Sequence, residues 1–216
     1  MANSICFVIT VDGPSASGKG TLARRLAKHF CLRYLDTGSI YRAIAFKMEK
    51  NGCDLLQAEL AERIALRLAK EDLNEPELRR EDIGLKASVI AAYPKVREAV
   101  LDYQREFAYT LPGAVLDGRD IGTVVCPNAT AKIYLDANRE IRVTRRLKEL
   151  QLRGMESIEA HVLLEMKERD KRDKKRSVAP LKLAQDAYLI DSSNLTEDEV
   201  FENAVCFIEK KYGEVV

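Results

Sequence analysis

Residues 13–21 (GPSASGKGT) combine glycines with a single lysine at the spacing G-x-x-x-x-G-K. Glycines let successive backbone N–H groups turn towards one anion, and a helix that follows adds its positive N-terminal end. A lysine at the end of such a loop places a charge beside phosphate groups. We interpret the segment as a loop for nucleotide phosphates, formed by Gly13, Pro14, Ser15, Ala16, Ser17, Gly18, Lys19, Gly20 and Thr21. An ordinary glycine turn with a surface lysine is the alternative.

The residue after Lys19 is Gly20, where the general pattern of such loops has a serine or threonine that binds magnesium. We therefore expect no protein side chain to ligate a metal directly. Charge on a transferring phosphoryl group must still be neutralised. The expected cofactor is Mg²⁺ that enters with the nucleotide and is held largely through water and phosphate oxygens.

Two further polar segments follow apolar runs, residues 36–42 (DTGSIYR) and 117–123 (DGRDIGT). Parallel strands present their carboxyl ends at one edge of a sheet, where α/β proteins bind ligands. Both segments should therefore face the same crevice as the lysine loop. Either one alone could equally be a salt-bridged start of a helix.

A densely charged run at residues 168–176 (ERDKRDKKR) is the third feature with chemical potential. Within it Arg169, Asp173 and Arg176 are spaced i, i+4, i+7, so that one helix face presents all three. The alternative is a solvated charged face. We expect this half of the helix to project from the body of the protein, with Arg176 exposed.

The elements that must position these residues follow from the apolar pattern. Short apolar runs at 5–11, 114–116, 133–135 and 188–190 each lead to an aspartate, as buried strands of a parallel sheet do before a loop. Helical patterns lie between them, including 138–154, 158–176 and a closing amphipathic helix. The sequence predicts an α/β fold with a parallel sheet flanked by helices.

The predicted organisation is one domain with two appendages. The core comprises residues 1–38, 94–152 and 177–216, and a helical insertion without a convincing strand occupies 39–93. Residues 153–176 form a short lid over the crevice. The 216 residues, 46% of them hydrophobic, are enough for one sizeable core.

Composition excludes several classes of protein. The formal net charge is +1, so there is no global attraction to nucleic acid or to an anionic membrane. No run approaches the length of a membrane span, and the N-terminus lacks the features of a signal peptide. The five cysteines are odd in number and contain no C-x-x-C pair, which argues against a disulfide framework or a zinc site. We expect a cytoplasmic protein that acts as a monomer.

Taken in order, five motifs resemble the bacterial cytidylate kinases almost from end to end: GPSASGKGT, LDTGSIYR, ASVIAAYPKVRE, DGRDIGTVV and ERDKRDKKRSVAPL. The resemblance implies the core of the P-loop nucleotide kinases, with a monophosphate-binding insertion and a mobile lid. It also implies ATP as phosphoryl donor and CMP or dCMP as acceptor. Many members carry a small β-hairpin in the insertion, whereas residues 68–80 lack an alternating apolar segment, so the insertion is expected to be shortened.

The resemblance also implies roles for individual residues. Arg42 and Arg119 would hold the acceptor phosphate with help from Thr37, and Asp36 belongs to the same segment. The remaining substrate contacts divide by the part of the nucleotide that they meet: Ser88, Arg97 and Asp120 the cytosine, Arg169 and Asp173 the sugar, Arg176 the phosphates. Catalysis would depend on the cations around the transferring group, namely Lys19, Arg119, Arg145, Arg169 and Arg176.

Elementary chemistry supports these assignments. Cytosine carries an amino donor where uracil has a carbonyl acceptor, so a carboxylate such as Asp120 accepts from cytosine and repels uracil. Arginine offers a planar fork of donors that suits phosphate better than lysine does. Two alternatives remain open: a P-loop kinase for another small molecule, such as UMP, AMP or dTMP, and a nucleotide-dependent switch. The chain lacks the N-K-x-D guanine motif.

Overall fold

A computed structural model describes residues 6–213, and five parallel strands form its central sheet. The strands are β1 (Phe7–Asp12), β2 (Arg33–Asp36), β3 (Gly113–Gly118), β4 (Ala131–Asp136) and β5 (Tyr188–Asp191). Their spatial order is β2-β3-β1-β4-β5, and every neighbouring pair is parallel. The predicted α/β parallel sheet is confirmed; Ile5, which the prediction placed in the first strand, lies outside the described residues.

Helices connect the strands and cover both faces of the sheet. They are α1 (Lys19–His29), α2 (Thr37–Lys50), α3 (Ala58–Ala65), α4 (Glu81–Ile90), α5 (Pro94–Tyr109), α6 (Arg139–Leu152), α7 (Glu159–Lys175) and α8 (Glu197–Tyr212). Short 3₁₀ turns occupy Lys70–Asn74 and Pro76–Arg79, and a π-helical turn spans Ile121–Val125.

Strand β1 lies in the middle of the sheet and is buried along its whole length. Successive side chains of a strand point to opposite faces, so a central strand must be apolar on both. Val8 accordingly packs in one core cluster, together with residues of α2 and α5. Its neighbour Ile9 packs in the other, together with residues of α1 and α8. The strand thereby fixes the start of the glycine-rich loop relative to both helical layers.

Between α2 and α5 the described chain contains helices and 3₁₀ turns but no strand, as the sequence predicted for the insertion. The predicted boundary at Ser39 falls inside α2. Ile40, Ile44 and Met48 of that helix are fully buried in the same cluster as Val8 of the sheet. Helix α2 therefore belongs to the packed core as much as to the region that follows it.

The expectation that the charged half of α7 projects into solvent is wrong. Asp170 and Asp173 are buried, and the Arg176 side chain is only 4% exposed. Each of these charges has a partner of opposite sign on another element, which offsets the cost of taking it out of water.

None of the helices in the described part of the chain is long and apolar enough to cross a membrane.

Candidate active site

The glycine-rich loop begins where β1 ends, and its glycines are required by its geometry. Gly13 has φ +156°, and a Cβ atom added there would lie 2.1 Å from the Leu135 carbonyl oxygen. Gly18 adopts the left-handed region at φ +91°, immediately before α1 begins at Lys19. A side chain at either position would be strained. The pattern that defined the loop in the sequence therefore has a steric cause.

Lys19 lies near two arginines and makes few hydrogen bonds of its own. Its Nζ atom donates one long hydrogen bond, 3.4 Å, to the Pro14 carbonyl oxygen. Burial and the charge of Arg119 lower the pKa of Lys19 to about 7, against the opposing influence of Asp117. Anionic phosphates beside the Lys19 ammonium would favour its charged form. The electrostatics thus agree with a phosphate-binding lysine.

Nucleotide binding at pH 8 should therefore be coupled to proton uptake. With a pKa of about 7, Lys19 is mostly neutral at that pH, and phosphates raise its pKa, so binding should take up about one proton per site. Isothermal titration of ATP in buffers of different ionisation enthalpy measures the uptake. The Lys19→Met variant should show little of it, and identical heats in all buffers for the unaltered protein would contradict the coupling.

The two segments predicted to form the acceptor site do meet. Asp36 caps α2 by accepting a hydrogen bond of 2.9 Å from the Gly38 N–H, and its other oxygen binds Arg42 Nη1 at 3.0 Å. Thr37 Oγ1 donates to the Asp117 carbonyl oxygen at 2.8 Å, which ties the start of α2 to the end of β3. Burial alone would raise the pKa of Asp36, but Arg42 and Lys19 hold it below its ordinary value.

Arg119 follows β3 and connects it to α7. Its Nε atom binds Asp173 Oδ2 at 2.8 Å, and Nη1 donates to the Gly118 carbonyl oxygen at 3.2 Å. Burial would raise the pKa of Asp173, yet Arg119 and Arg169 lower it, so the carboxylate stays ionised. Helix α7 is thus docked on the site through a buried ion pair, rather than extended away from it.

Arg169 carries an unsatisfied donor into this cluster. Its Nε atom is buried and has no hydrogen-bond partner among the described residues. Burial and the charge of Arg119 lower its pKa to about 10, with a further contribution from Arg42. Unpaired buried donors are uncommon in native proteins. The orphaned donor, close to two other guanidinium groups, fits a place for an anionic ligand.

Asp120 is held by two arginines from different parts of the chain. Its Oδ2 atom pairs with Arg97 Nη2, and its Oδ1 atom pairs with Arg176 Nη2 at 3.1 Å. Arg176 also donates to the carbonyl oxygens of Ala179 and Ala91. All three charged side chains are less than a tenth exposed. The three residues predicted to meet the base and the phosphates therefore form one buried network.

Ser88 has a partner that the sequence did not single out. Arg172 of α7 donates to Ser88 Oγ at 2.8 Å, linking α7 to α4. Arg172 lies three residues after Arg169, one helical turn along the same run, and that spacing is the signal that could have identified it. The structure thus brings Ser88 to α7 through a guanidinium group.

Arg145, another predicted catalytic cation, has different partners from Arg119 and Arg176. Its guanidinium donates to Ser192 Oγ at 2.9 Å, to the Ser192 carbonyl oxygen at 2.6 Å and to the Ser17 carbonyl oxygen at 3.4 Å. It therefore ties the phosphate loop to the loop after β5. The hydrogen bonds of Arg145 thus go to backbone and hydroxyl oxygens rather than to the carboxylates that bind Arg119 and Arg176.

A second residue of α6 also supports the loop and was missed in the sequence. Arg142 donates to the Ser15 carbonyl oxygen at 3.1 Å and forms a buried ion pair with Asp170 of α7 at 2.7 Å. A pair separated by 28 residues carries no local pattern that would reveal it. The contact joins the tip of the phosphate loop to the helix that carries Arg169 and Asp173.

Asp117 begins the motif at residues 117–123, and its carboxylate faces the phosphate loop, a role that the sequence did not predict. A Cβ atom added at Gly20 would lie 3.8 Å from Asp117 Oδ2 and 3.8 Å from the Tyr34 hydroxyl. Tyr34 donates to Asp117 Oδ1 at 2.7 Å and orients the carboxylate. Burial and Asp36 raise the pKa of Asp117 to about 6, against the influence of Lys19. An acidic group thus stands where the loop lacks a hydroxyl.

These features define a class of protein. A parallel sheet delivers a G-x-x-x-x-G-K loop to one edge, and a second group of half-buried arginines meets that edge from α2, the end of β3 and α7. Two neighbouring groups of cations suit transfer between two phosphorylated molecules. The fold and the site are those of a P-loop nucleotide kinase.

The chain belongs to the cytidylate kinase family. The sequence profile described as "Cytidylate kinase" matches residues 9–210. The chain is 51% identical over 207 residues to the cytidylate kinase of Paramagnetospirillum magneticum, covering 94% of this chain and 98% of that protein. It is 50% identical over 203 residues to those of Bradyrhizobium sp. and Nitrobacter winogradskyi, with 94% and 96% covered in both cases.

Solved structures with low sequence identity share the fold. An uncharacterized protein from Eubacterium ventriosum matches with a TM-score of 0.52 at 14% identity, covering 94% of this chain and 98% of that one. TT1252 from Thermus thermophilus matches with a TM-score of 0.50 at 19% identity, covering 96% and 98%. At these identities the likeness concerns the architecture alone.

Proposed function

We propose that the protein transfers the γ-phosphoryl group of ATP to CMP or dCMP, giving ADP and CDP or dCDP. One observation carries the proposal: the half-buried cations of the acceptor side, Arg119 and Arg169, lie close enough to Lys19 to lower its pKa. A cluster of cations that repel one another favours a ligand with several negative charges. Its place within the cytidylate kinase family supports a cytidine nucleotide as the acceptor.

The chemistry requires positioning and charge rather than a base. The attacking phosphate oxygen is already anionic near neutral pH, so no side chain must remove a proton. Lys19 would bind the β- and γ-phosphates of ATP, while Arg42 and Arg119 hold the acceptor phosphate in line. Arg169 would supply its unpaired Nε donor to the charge that develops between them. As the new bond forms, the bond from the γ-phosphorus to the bridging oxygen of ATP breaks, and ADP leaves with the negative charge.

Magnesium fits the residues present. The residue immediately after Lys19 is Gly20, which offers no hydroxyl, and the Asp117 carboxylate faces that position. Oxygen donors, some of them water, are the ligands that Mg²⁺ prefers. Asp117 would hold the ion through its water shell, with Tyr34 keeping the carboxylate oriented. When bound, the ion would neutralise charge on the phosphates of ATP.

Recognition of cytosine would depend on Asp120, with Arg97 and Ser88 beside it. Both Asp120 oxygens bind guanidinium groups, but each carboxylate oxygen has two lone pairs and can accept from a second donor. The arginines fix the carboxylate as an anionic acceptor, which suits an amino group and opposes the carbonyl of uracil. Asp173 and Arg169 of α7 would meet the sugar.

The insertion, the lid and Arg145 also have roles in this reaction. We propose that residues 39–93 form the monophosphate-binding insertion and residues 153–176 the lid, whose closure would exclude water from the phosphates. Arg145 would act on the donor side by holding the phosphate loop through Ser17 and Ser192. We further propose a cytoplasmic monomer whose partners are ATP and the cytidine monophosphates, without nucleic acid or membrane.

A panel of nucleoside monophosphates tests the proposal. CMP and dCMP should be phosphorylated with a kcat/KM about a hundredfold or more above that of UMP, because a buried acceptor rejects the wrong donor pattern. ADP release in a coupled assay gives the rates. Equal turnover of UMP, or preferred turnover of AMP or dTMP, would contradict the proposal, and rapid ATP loss without phosphorylated acceptor would favour a switch.

The variant Asp120→Asn identifies the source of the preference. An amide presents a donor to the uracil carbonyl, so the ratio of CMP to UMP turnover should narrow by about tenfold. The ratio is the informative quantity, since the loss of two ion pairs will lower both rates. An unchanged ratio would move the discrimination to another residue.

A further inference from the structure

Asp12, the last residue of β1, makes a contact that the reaction described above does not use. It is 4% exposed, and its two carboxylate oxygens accept backbone hydrogen bonds from Ile121 at 2.9 Å and from Gly122 at 2.8 Å. These donors are the first two N–H groups of the π-helical turn at Ile121–Val125. The end of the central strand thus holds the turn that directly follows Arg119 and Asp120.

The N–H groups at the start of a helical turn have no partner within it, and the side chain of the preceding residue commonly accepts from them. Here that residue is Asp120, which makes no such bond. Its two oxygens are taken by Arg97 and Arg176. Asp12 supplies the missing cap from a position 109 residues earlier in the chain.

We propose that Asp12 is a positioning residue for the acceptor site: by capping the Ile121–Val125 turn it relieves Asp120 of that role, so that the Asp120 carboxylate stays with Arg97 and Arg176 at the base, and it fixes Arg119 beside Asp120. The inference rests on the proposed function, because Asp120 and Arg119 are the groups assigned to CMP. The proposal also gives Asp12, the residue before Gly13, a role that is separate from that of the phosphate loop.

Gly122 provides an independent view of the same contact. A Cβ atom added there would lie 2.9 Å from Thr10 Oγ1, 3.2 Å from Lys132 Cδ and 3.4 Å from Asp12 Oδ2. The turn therefore lies against β1 so closely that the smallest side chain would push it away. Substitution of Gly122 disturbs the cap from the side of the turn and leaves β1 and the phosphate loop unaltered in sequence.

The test is the distribution of the effect between the two substrates. Asp12→Asn keeps the shape but turns an N–H₂ group towards one of the donors, so the KM for CMP should rise by about tenfold or more. The KM for ATP should change less than about threefold, because the loop sequence is intact. Gly122→Ala should give the same split, and calorimetric titration of CMP should show the same loss without turnover.

Asp191→Asn is a matched control, since Asp191 also ends a parallel strand and accepts a backbone N–H, but within its own loop at Ser193. It should leave both KM values unchanged. Equal losses for CMP and ATP, or unchanged CMP binding in folded Asp12→Asn and Gly122→Ala, would overturn the proposal. Failure of the unaltered protein to phosphorylate CMP would instead contradict the function on which it rests.

Discussion

Lys19→Ala is expected to lower kcat for CMP phosphorylation by about a thousandfold while leaving the fold intact. The loss follows because Lys19 is the only lysine in the loop at residues 13–21, so nothing else in the loop supplies a cation to the phosphates of ATP. Stability should change by less than about 1 kcal/mol, since the ammonium has one long hydrogen bond and is repelled by Arg119 and Arg169. Steady-state kinetics and thermal melting without nucleotide measure the two quantities.

Lys28→Ala on the same helix is the matched control, because Lys28 is exposed near the end of α1. It should keep normal activity. Binding of CMP to Lys19→Ala should weaken far less than binding of ATP. A large drop in melting temperature for Lys19→Ala, or weakening of both nucleotides alike, would assign the lysine a structural role.

Arg176→Ala is expected to lower kcat by about a hundredfold, because a guanidinium fork that clamps phosphate oxygens tightens as charge spreads in the transition state. The structure adds a second effect. Arg176 is buried against Asp120 and two backbone carbonyls, so its removal should also cost about 2 kcal/mol of stability. The sequence, which placed it on an exposed surface, predicted a cost within about half a kcal/mol.

Two further variants separate charge from geometry at this position. Arg176→Lys keeps the charge but loses the fork, and its kcat should remain close to that of the alanine variant. Lys175→Ala removes an exposed neighbouring charge and should affect neither rate nor stability. Near-normal kcat in Arg176→Ala would show that the clamp is not needed for transfer.

The parts of this fold that the sequence predicted are those whose cause is local. A buried strand such as β1 must be apolar on both faces, and the Gly13 turn must lack a side chain, so both leave a pattern in neighbouring residues. The α/β class and the phosphate loop follow from such patterns. The family resemblance then supplied the acceptor residues, and the structure brings most of them to one place.

What the sequence could not give depends on partners far apart in the chain. Asp170 and Asp173 were expected on a helix that projects from the body of the protein, because nothing near them in the sequence shows that Arg142 and Arg119 neutralise them. The pairing of Ser88 with Arg172 spans 84 residues. Burial of a charge is decided by tertiary contacts, and a count of charges along a helix does not contain them.

The position of β1 also bears on how the chain folds as it is made. β1 pairs with β3 at Phe7 and Gly113 and with β4 at Ile9 and Ala131. It therefore cannot form its sheet hydrogen bonds until more than half of the chain has been synthesised. Contacts so distant in sequence slow folding and leave apolar segments exposed in the meantime. β1 is therefore synthesised before its partner strands and paired late. The nascent chain carries it unpaired until β3 and β4 have left the ribosome.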